Sequence, residues 1–249
     1  MAYHFIAITS QYQKGFRVGW HYSSEGQLDA TLIRTFLRKV REKCGEIELG
    51  IHKLSTDSTD LKSVINKDRF FKDVLFTEDM DDFIDFVASD QKLTALDISK
   101  FLLTILPSSH LKLQKLLYFC YAEFLKRTGK KLFEEPIVAY KYGPVVEGVF
   151  QRFKHYGSSV IDYKEDETFI IEPNVRAATP SFIKVITSKH GPEAMMCIID
   201  VLKKYGKEKP FDLVERTHKK GGPWDRVYKE GENRVITDSI IKQYHYVVE

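Results

Sequence analysis

The amino-acid sequence predicts an α+β protein with a small mixed α/β domain at residues 1–92 and a mostly α-helical domain with a short β-hairpin at residues 93–249. Strand-like runs of β-branched and aromatic residues concentrate in the first part, whereas apolar residues recur at helical spacing from Thr94 onward. The charge also changes sign. Residues 1–93 hold 13 Lys and Arg against 15 Asp and Glu, a net charge of −2. Because the whole chain has a net charge of +3, the remaining residues have a net charge of +5. The polar residues 89–92 mark the boundary.

The first domain is predicted to begin with a β-hairpin, because residues 3–9 and 16–22 are rich in aromatic and β-branched side chains. Residues 27–43 place apolar side chains at helical spacing, and residues 46–54 alternate as a strand. After the polar residues 55–67, we expect a further strand from Asp73 and then a helix capped by Thr77.

The second domain is predicted to be a series of helices around one strongly apolar helix. That helix spans residues 110–127, begins after a Ser108 or Ser109 cap and ends before Gly129. The Tyr-Gly-Pro run at 142–144 predicts a sharp reversal with the proline in the first turn of the next helix. The other predicted helices cover residues 94–105, 147–155, 180–188, 192–205, 210–218 and 237–244, and a hairpin covers 160–171.

The composition is that of an ordinary globular protein, with 43% hydrophobic and 29% charged residues. Its small net charge argues against a dominant attraction to nucleic acid or membrane. The three cysteines are far apart and odd in number, which favours a reducing cytoplasm. The N-terminus does not resemble a signal peptide, and apolar runs do not reach the length of a membrane span, about 18 residues.

No sequence motif announces catalysis or a cofactor. Glycine-rich phosphate-binding patterns are absent, and the histidines and cysteines do not have metal-ligand spacing. We therefore expect no cofactor, no metal and no enzymatic activity. A site formed in the fold by residues that are distant in sequence remains an open alternative. Cys120 lies within the apolar helix and is interpreted as a buried small side chain.

Two charged groups have alternative interpretations. An acidic group, interpreted as a solvated helix face, comprises Asp79, Asp81, Asp82 and Asp85. The alternatives for it are paired carboxylates, a cation site or a surface that docks a basic partner. A basic group brackets the apolar helix and is interpreted as its solvated ends; it comprises Lys112, Lys115, Lys126, Arg127, Lys130 and Lys131. The alternative for the basic group is contact with nucleic-acid phosphates, to which Tyr140, Lys141 and Tyr142 would add stacking.

The sequence resembles a known family in its second part. The run Leu-Lys-Leu-Gln-Lys-Leu-Leu-Tyr at 111–118 is followed by Lys-Tyr-Gly-Pro-Val at 141–145, Thr-His at 217–218 and Pro-Trp at 223–224. Together, and in this order, they resemble the Panacea domain, a SocA-like antitoxin domain also present in phage-associated proteins, over about residues 94–247. The motif residues are Lys112, Leu113, Gln114, Lys115, Leu117, Tyr118, Tyr142, Gly143, Pro144, Thr217, His218, Pro223 and Trp224.

This resemblance implies an antitoxin that neutralises a cognate toxin, encoded by a neighbouring gene, through direct protein binding. It implies no catalytic residues. The alternatives are an adaptor that delivers the toxin to a protease, a phage-encoded protein that binds a host defence factor, and a nucleic-acid-binding regulator. Residues 1–92 match no family pattern and are a candidate partner-specificity domain. The candidate partner-binding residues are Trp20, Tyr22, Tyr140, Lys141, Tyr142, His218 and Trp224, because aromatic and cationic anchors dominate protein interfaces.

Overall fold

The computed structural model describes residues 1–11, 15–45, 47–164 and 179–249. It forms two compact units, Met1–Lys92 and Leu93–Glu249. The first unit combines strands and helices, and the second is mostly helical, which confirms the predicted α+β class with a helical C-terminal region.

The first unit is built on a four-stranded sheet. The predicted hairpin is confirmed as β1 (Ala2–Gln11) and β2 (Phe16–Ser24), which pair antiparallel. The strands β3 (Gly50–Thr56) and β4 (Val74–Thr77) complete the order β3-β1-β2-β4, in which β4 runs parallel to β2.

Helices cover the sheet of the first unit on both faces. They are α1 (Ala30–Cys44), α2 (Leu61–Lys67) and α3 (Met80–Asp90). On β1, Phe5 joins a core with residues of α1 and α3, whereas its neighbour Ile6 joins a separate core with Val64 of α2. Burial of both faces explains why β1 is a nearly continuous apolar run.

Two predictions for the first unit were wrong in detail, and one helix was not predicted. The strand predicted at 46–54 lies at 50–56, because Ile47 and Leu49 precede it and pack against the core of α1 and α3. The polar stretch contains α2, a helix of seven residues with the single buried residue Val64, too short for a periodic signal. The cap of α3 is Asp79 rather than Thr77, since its carboxylate accepts from the backbone N–H groups of Asp81 and Asp82.

The second unit surrounds α5 (His110–Thr128), of which twelve of the 19 residues are buried. Ser109 caps its start and Gly129 ends it in the left-handed conformation, as predicted. The neighbours of α5 include α4 (Ala95–Ile105), α6 (Glu147–Phe153), α8 (Gly191–Tyr205), α9 (Pro210–Thr217) and α10 (Asp238–Tyr244), and α7 (Pro180–Ile186) packs on α4 and α8.

The segment 136–146 forms a β-hairpin. The prediction that Pro144 lies in the first turn of the next helix is therefore wrong. The hairpin consists of β5 (Ile137–Tyr140) and β6 (Gly143–Val146), and β7 (Arg234–Val235) pairs with the other edge of β5. Pro144 therefore lies in an edge strand opposite Ala139, where its missing N–H is tolerated, and α6 starts only at Glu147. The reversal itself is confirmed. The hairpin predicted at 160–171 lies largely outside the described residues.

Candidate functional site

Two adjacent polar residues of α5 attach the β5–β6 hairpin to the core. The Lys115 Nζ donates to the carbonyl oxygen of Pro144 at 2.9 Å. Gln114 accepts from the Val146 N–H at 2.8 Å and donates to the Val146 carbonyl at 3.3 Å. Both side chains are buried, so the prediction that Lys115 lies at a solvated basic end is wrong. A central position on a helix packed on several sides buries even a charged side chain.

Gly143 allows this close approach. Its φ of +99° disfavours L side chains, and a Cβ there would lie 2.8 Å from both the Lys115 Cε and the Thr217 Oγ1. A glycine, a lysine and a threonine from three separate motif blocks thus meet at one point.

Burial of the Lys115 ammonium lowers its pKa to about 7. The pKa values of His110 and His218 are also lowered, first by their own burial and then by the positive charge of Lys115. The three groups therefore favour their neutral forms more than they would in water.

An aromatic stack supports the end of β5. The rings of His218 and Trp224 lie parallel with centroids 3.6 Å apart, and Tyr228 stacks on Trp224 at 4.4 Å. The Trp224 Nε1 donates to the Tyr140 carbonyl at 2.8 Å. Trp224 is buried and binds the hairpin through this hydrogen bond, and among the ring contacts of the described residues His218 contacts the hairpin side of the unit only through its stack on Trp224.

The hairpin borders an open groove of about 530 Å³, which we call the hairpin groove. Four aromatic side chains line it: Tyr140, Tyr142, Phe150 and Phe211. Tyr142 and Phe211 are respectively 53% and 64% exposed, so apolar surface faces solvent here. Sequence reasoning singled out Tyr140, Lys141 and Tyr142 but missed Phe150 and Phe211, which lie on α6 and α9 and have no signal linking them to the hairpin.

The polar part of the hairpin groove is small. Gln114, His110 and Lys141 contribute to its lining, and Lys141 is the single charged side chain among the described lining residues. The His110 Nδ1 is buried without a hydrogen-bond partner in the described part of the chain.

The predicted residues of the first unit make contacts within that unit. Trp20 is 3% exposed, stacks on Phe36 at 4.4 Å and donates to the Glu78 carbonyl at 3.1 Å. The Tyr22 hydroxyl accepts from the Asp29 N–H at 3.3 Å. Their contribution to partner binding stays a prediction.

Three potential metal ligands meet near the C-terminus, although their sequence spacing gave no signal. Atoms of Glu123, His245 and Glu249 all lie within 4.8 Å of one another. Each carboxylate already has a cationic partner, because Lys126 lies 2.5 Å from Glu249 and Arg127 lies 2.7 Å from Glu123. The carboxylates of this group therefore belong to an ion-pair network.

The acidic group on α3 is engaged in the same way. Asp81 forms an ion pair with Lys39 of α1 at 2.7 Å, and Asp85 forms one with Lys43. These exposed pairs join two helices of one unit and contribute little stability, about 0–1 kcal/mol each.

The second unit is thus a helical domain that presents a preformed, mostly apolar groove. Residues 113–225 match the family model of the SocA-like antitoxin, Panacea domain. The predicted resemblance to the Panacea domain is confirmed over these residues.

A curated relative supports the same assignment. Antitoxin SocA of Caulobacter vibrioides (strain NA1000 / CB15N) is 33% identical over 135 residues, which cover 54% of this chain and 63% of that protein. No solved structure matches the chain. Among the described residues, no helix is long and apolar enough to cross a membrane.

Proposed function

We propose that this protein is the antitoxin of a toxin–antitoxin system and neutralises its toxin by direct protein binding. The observation that carries the proposal is the match of residues 113–225 to the antitoxin family. The polar motif residues Gln114 and Lys115 support this interpretation, because they bind backbone groups of β6 and hold a surface in place.

The proposed mechanism is occlusion of the toxin's active surface. Protein interfaces depend on a few aromatic or cationic anchors in a larger patch. The exposed Tyr142 and Phe211 at the hairpin groove provide such anchors in the second unit. The first unit, which lies outside the matched residues, is proposed to determine which toxin is bound.

We propose a cytoplasmic setting and no enzymatic activity. Cys44, Cys120 and Cys197 are buried thiols, which suits a reducing compartment. Burial raises the pKa of the Cys120 thiol well above its usual value, which disfavours its use as a nucleophile.

The experiment is co-expression of the chain with the protein encoded by the adjacent gene, scored by growth and by affinity capture. Rescue of growth together with a stable complex is the expected result. An inactive toxin variant controls for expression, since it leaves growth unchanged without the antitoxin. Failure to rescue against this partner would contradict the proposal for this pair.

The same experiment separates the alternatives. An adaptor would lower the amount of toxin only in cells that hold the relevant protease. Binding of a host defence factor would show as capture of that factor without rescue from the adjacent toxin. A nucleic-acid-binding regulator would show steeply salt-dependent binding, and the burial of Lys115 removes one cation from that surface.

A further inference from the structure

We propose that the hairpin groove binds an extended segment of the toxin in which an aromatic or large aliphatic side chain lies next to a carboxylate. This inference rests on the proposed antitoxin function and specifies the chemistry of its partner.

The walls of the hairpin groove explain why the proposed segment carries a large apolar side chain. A volume of about 530 Å³ falls in the range of ligand-binding pockets. Tyr140, Tyr142, Phe150 and Phe211 offer ring faces and edges against which one or two large apolar side chains can pack. Since Tyr142 and Phe211 are more than half exposed in the free protein, their burial by a partner is favourable.

The groove is preformed because its walls are fixed from several sides. Gln114 forms two hydrogen bonds with Val146, and the Tyr140 hydroxyl donates to the Glu147 carboxylate at 2.8 Å. Trp224 holds the Tyr140 carbonyl. A preformed wall lowers the ordering cost of binding, which suits capture of a flexible segment.

The charged residues at the hairpin groove explain why the proposed segment carries a carboxylate. Lys141 is the one charged side chain of the described lining, and Lys209 is exposed immediately before the lining residue Pro210. No described lining residue is Asp or Glu. Two carboxylates lie near the lining residues in sequence: Glu147 accepts from the Tyr140 hydroxyl, and Asp212 accepts from the Lys209 N–H. A carboxylate beside the apolar side chain therefore complements the groove, whereas a lysine or arginine would be repelled.

The first test uses the full chain without the toxin. A random peptide library is selected on the immobilised wild-type protein, and the enriched peptides are measured against Tyr142→Ala, Phe211→Ala and Lys141→Glu. The expected peptides pair an aromatic or large aliphatic residue with Asp or Glu and bind each variant at least about tenfold more weakly.

Matched controls distinguish local from general effects. Tyr246 is 69% exposed on the short turn after α10, outside the groove lining, so Tyr246→Ala matches Tyr142→Ala. Lys203 is exposed in the last turn of α8, so Lys203→Glu matches Lys141→Glu. Both controls are expected to bind the peptides within about twofold of wild type. Circular dichroism checks that every variant is folded.

Three outcomes overturn the inference. Enriched peptides without a carboxylate refute the charge argument, and peptides that bind Tyr142→Ala as well as wild type refute the location. Sedimentation of the wild type as a dimer that Tyr142→Ala dissociates would assign the groove to a second copy of this chain.

A second measurement separates this inference from the proposed function. In calorimetry with an inactive variant of the toxin, unchanged affinity of all three groove variants overturns the groove as the docking site while the antitoxin function stands. Absence of any wild-type complex overturns direct neutralisation, and the peptide selection still decides the chemistry of the groove.

Discussion

The Nζ atom of Lys115 lies 2.9 Å from the carbonyl oxygen of Pro144, in the interior of the second unit. Lysine is rarely buried without an anionic partner because its charged form loses hydration. Here the amine attaches the β5–β6 hairpin to α5 at the point where Gly143 leaves room for it. The motif run at 111–118, which contains Lys115, thus provides a structural link that positions the hairpin groove.

The first prediction concerns pH. Burial lowers the Lys115 pKa from 10.5 to about 7, so the unfolded chain binds more protons than the folded chain between these two values. The cost of burying the charged Lys115 amine therefore applies in full below pH 7. As the pH rises to 10.5, the free energy of unfolding increases by up to about 1.4 kcal/mol per pH unit. Urea unfolding of wild type and Lys115→Met at pH 7 and pH 9 measures this change in the free energy of unfolding.

Lys115→Met removes this titration and leaves other titrating groups in place. The difference in unfolding free energy between wild type and variant is therefore expected to shift in favour of wild type at pH 9. A difference that is the same at both pH values would show that the Lys115 amine is not held in the interior.

A second prediction concerns Gly143. In Gly143→Ala, the positive φ and the contact of the new Cβ with Lys115 and Thr217 are expected to destabilise the protein by about 3 kcal/mol. Gly148→Ala is the control, since nothing lies within 4 Å of its added Cβ and alanine favours the helix by up to about 1 kcal/mol. Thermal unfolding compares the two. Equal melting temperatures would contradict the close packing of Lys115 and Thr217 around Gly143.

Much of the architecture was predictable because local signals agreed with tertiary contacts. The apolar run of α5, with Ser109 before it and Gly129 after it, defined that helix within one residue. The hairpin groove was only half predictable. Tyr142 stands in a recognisable motif, whereas Phe211 reaches the same groove from α9, a contact that depends on long-range packing. Lys115 was misplaced because sequence periodicity does not reveal how many sides of a helix are covered.

A third prediction concerns the thiols. Burial raises the pKa of Cys120 and also that of Cys197, the latter to about 12, so little thiolate exists at neutral pH. A maleimide or iodoacetamide reagent at pH 8 is expected to leave these residues unmodified in the folded chain and to label them in denaturant. Mass spectrometry locates the labels. Rapid, selective labelling of Cys120 in the native protein would revive the nucleophile interpretation.

A fourth prediction concerns the first unit. A chain restricted to residues 93–249 is expected to unfold cooperatively, because the second unit has its own hydrophobic core. It is expected to lose growth rescue, since we assign toxin choice to residues 1–92. Circular dichroism and thermal unfolding establish that the fragment is folded. Full rescue by a folded fragment would refute this assignment.

The most direct measurement is toxin activity in purified components, without protease, as the full chain is titrated in. Direct neutralisation predicts that activity falls to background at a fixed molar ratio and that the two proteins then co-elute as one complex. Full toxin activity in the presence of an excess of the folded chain would contradict direct neutralisation.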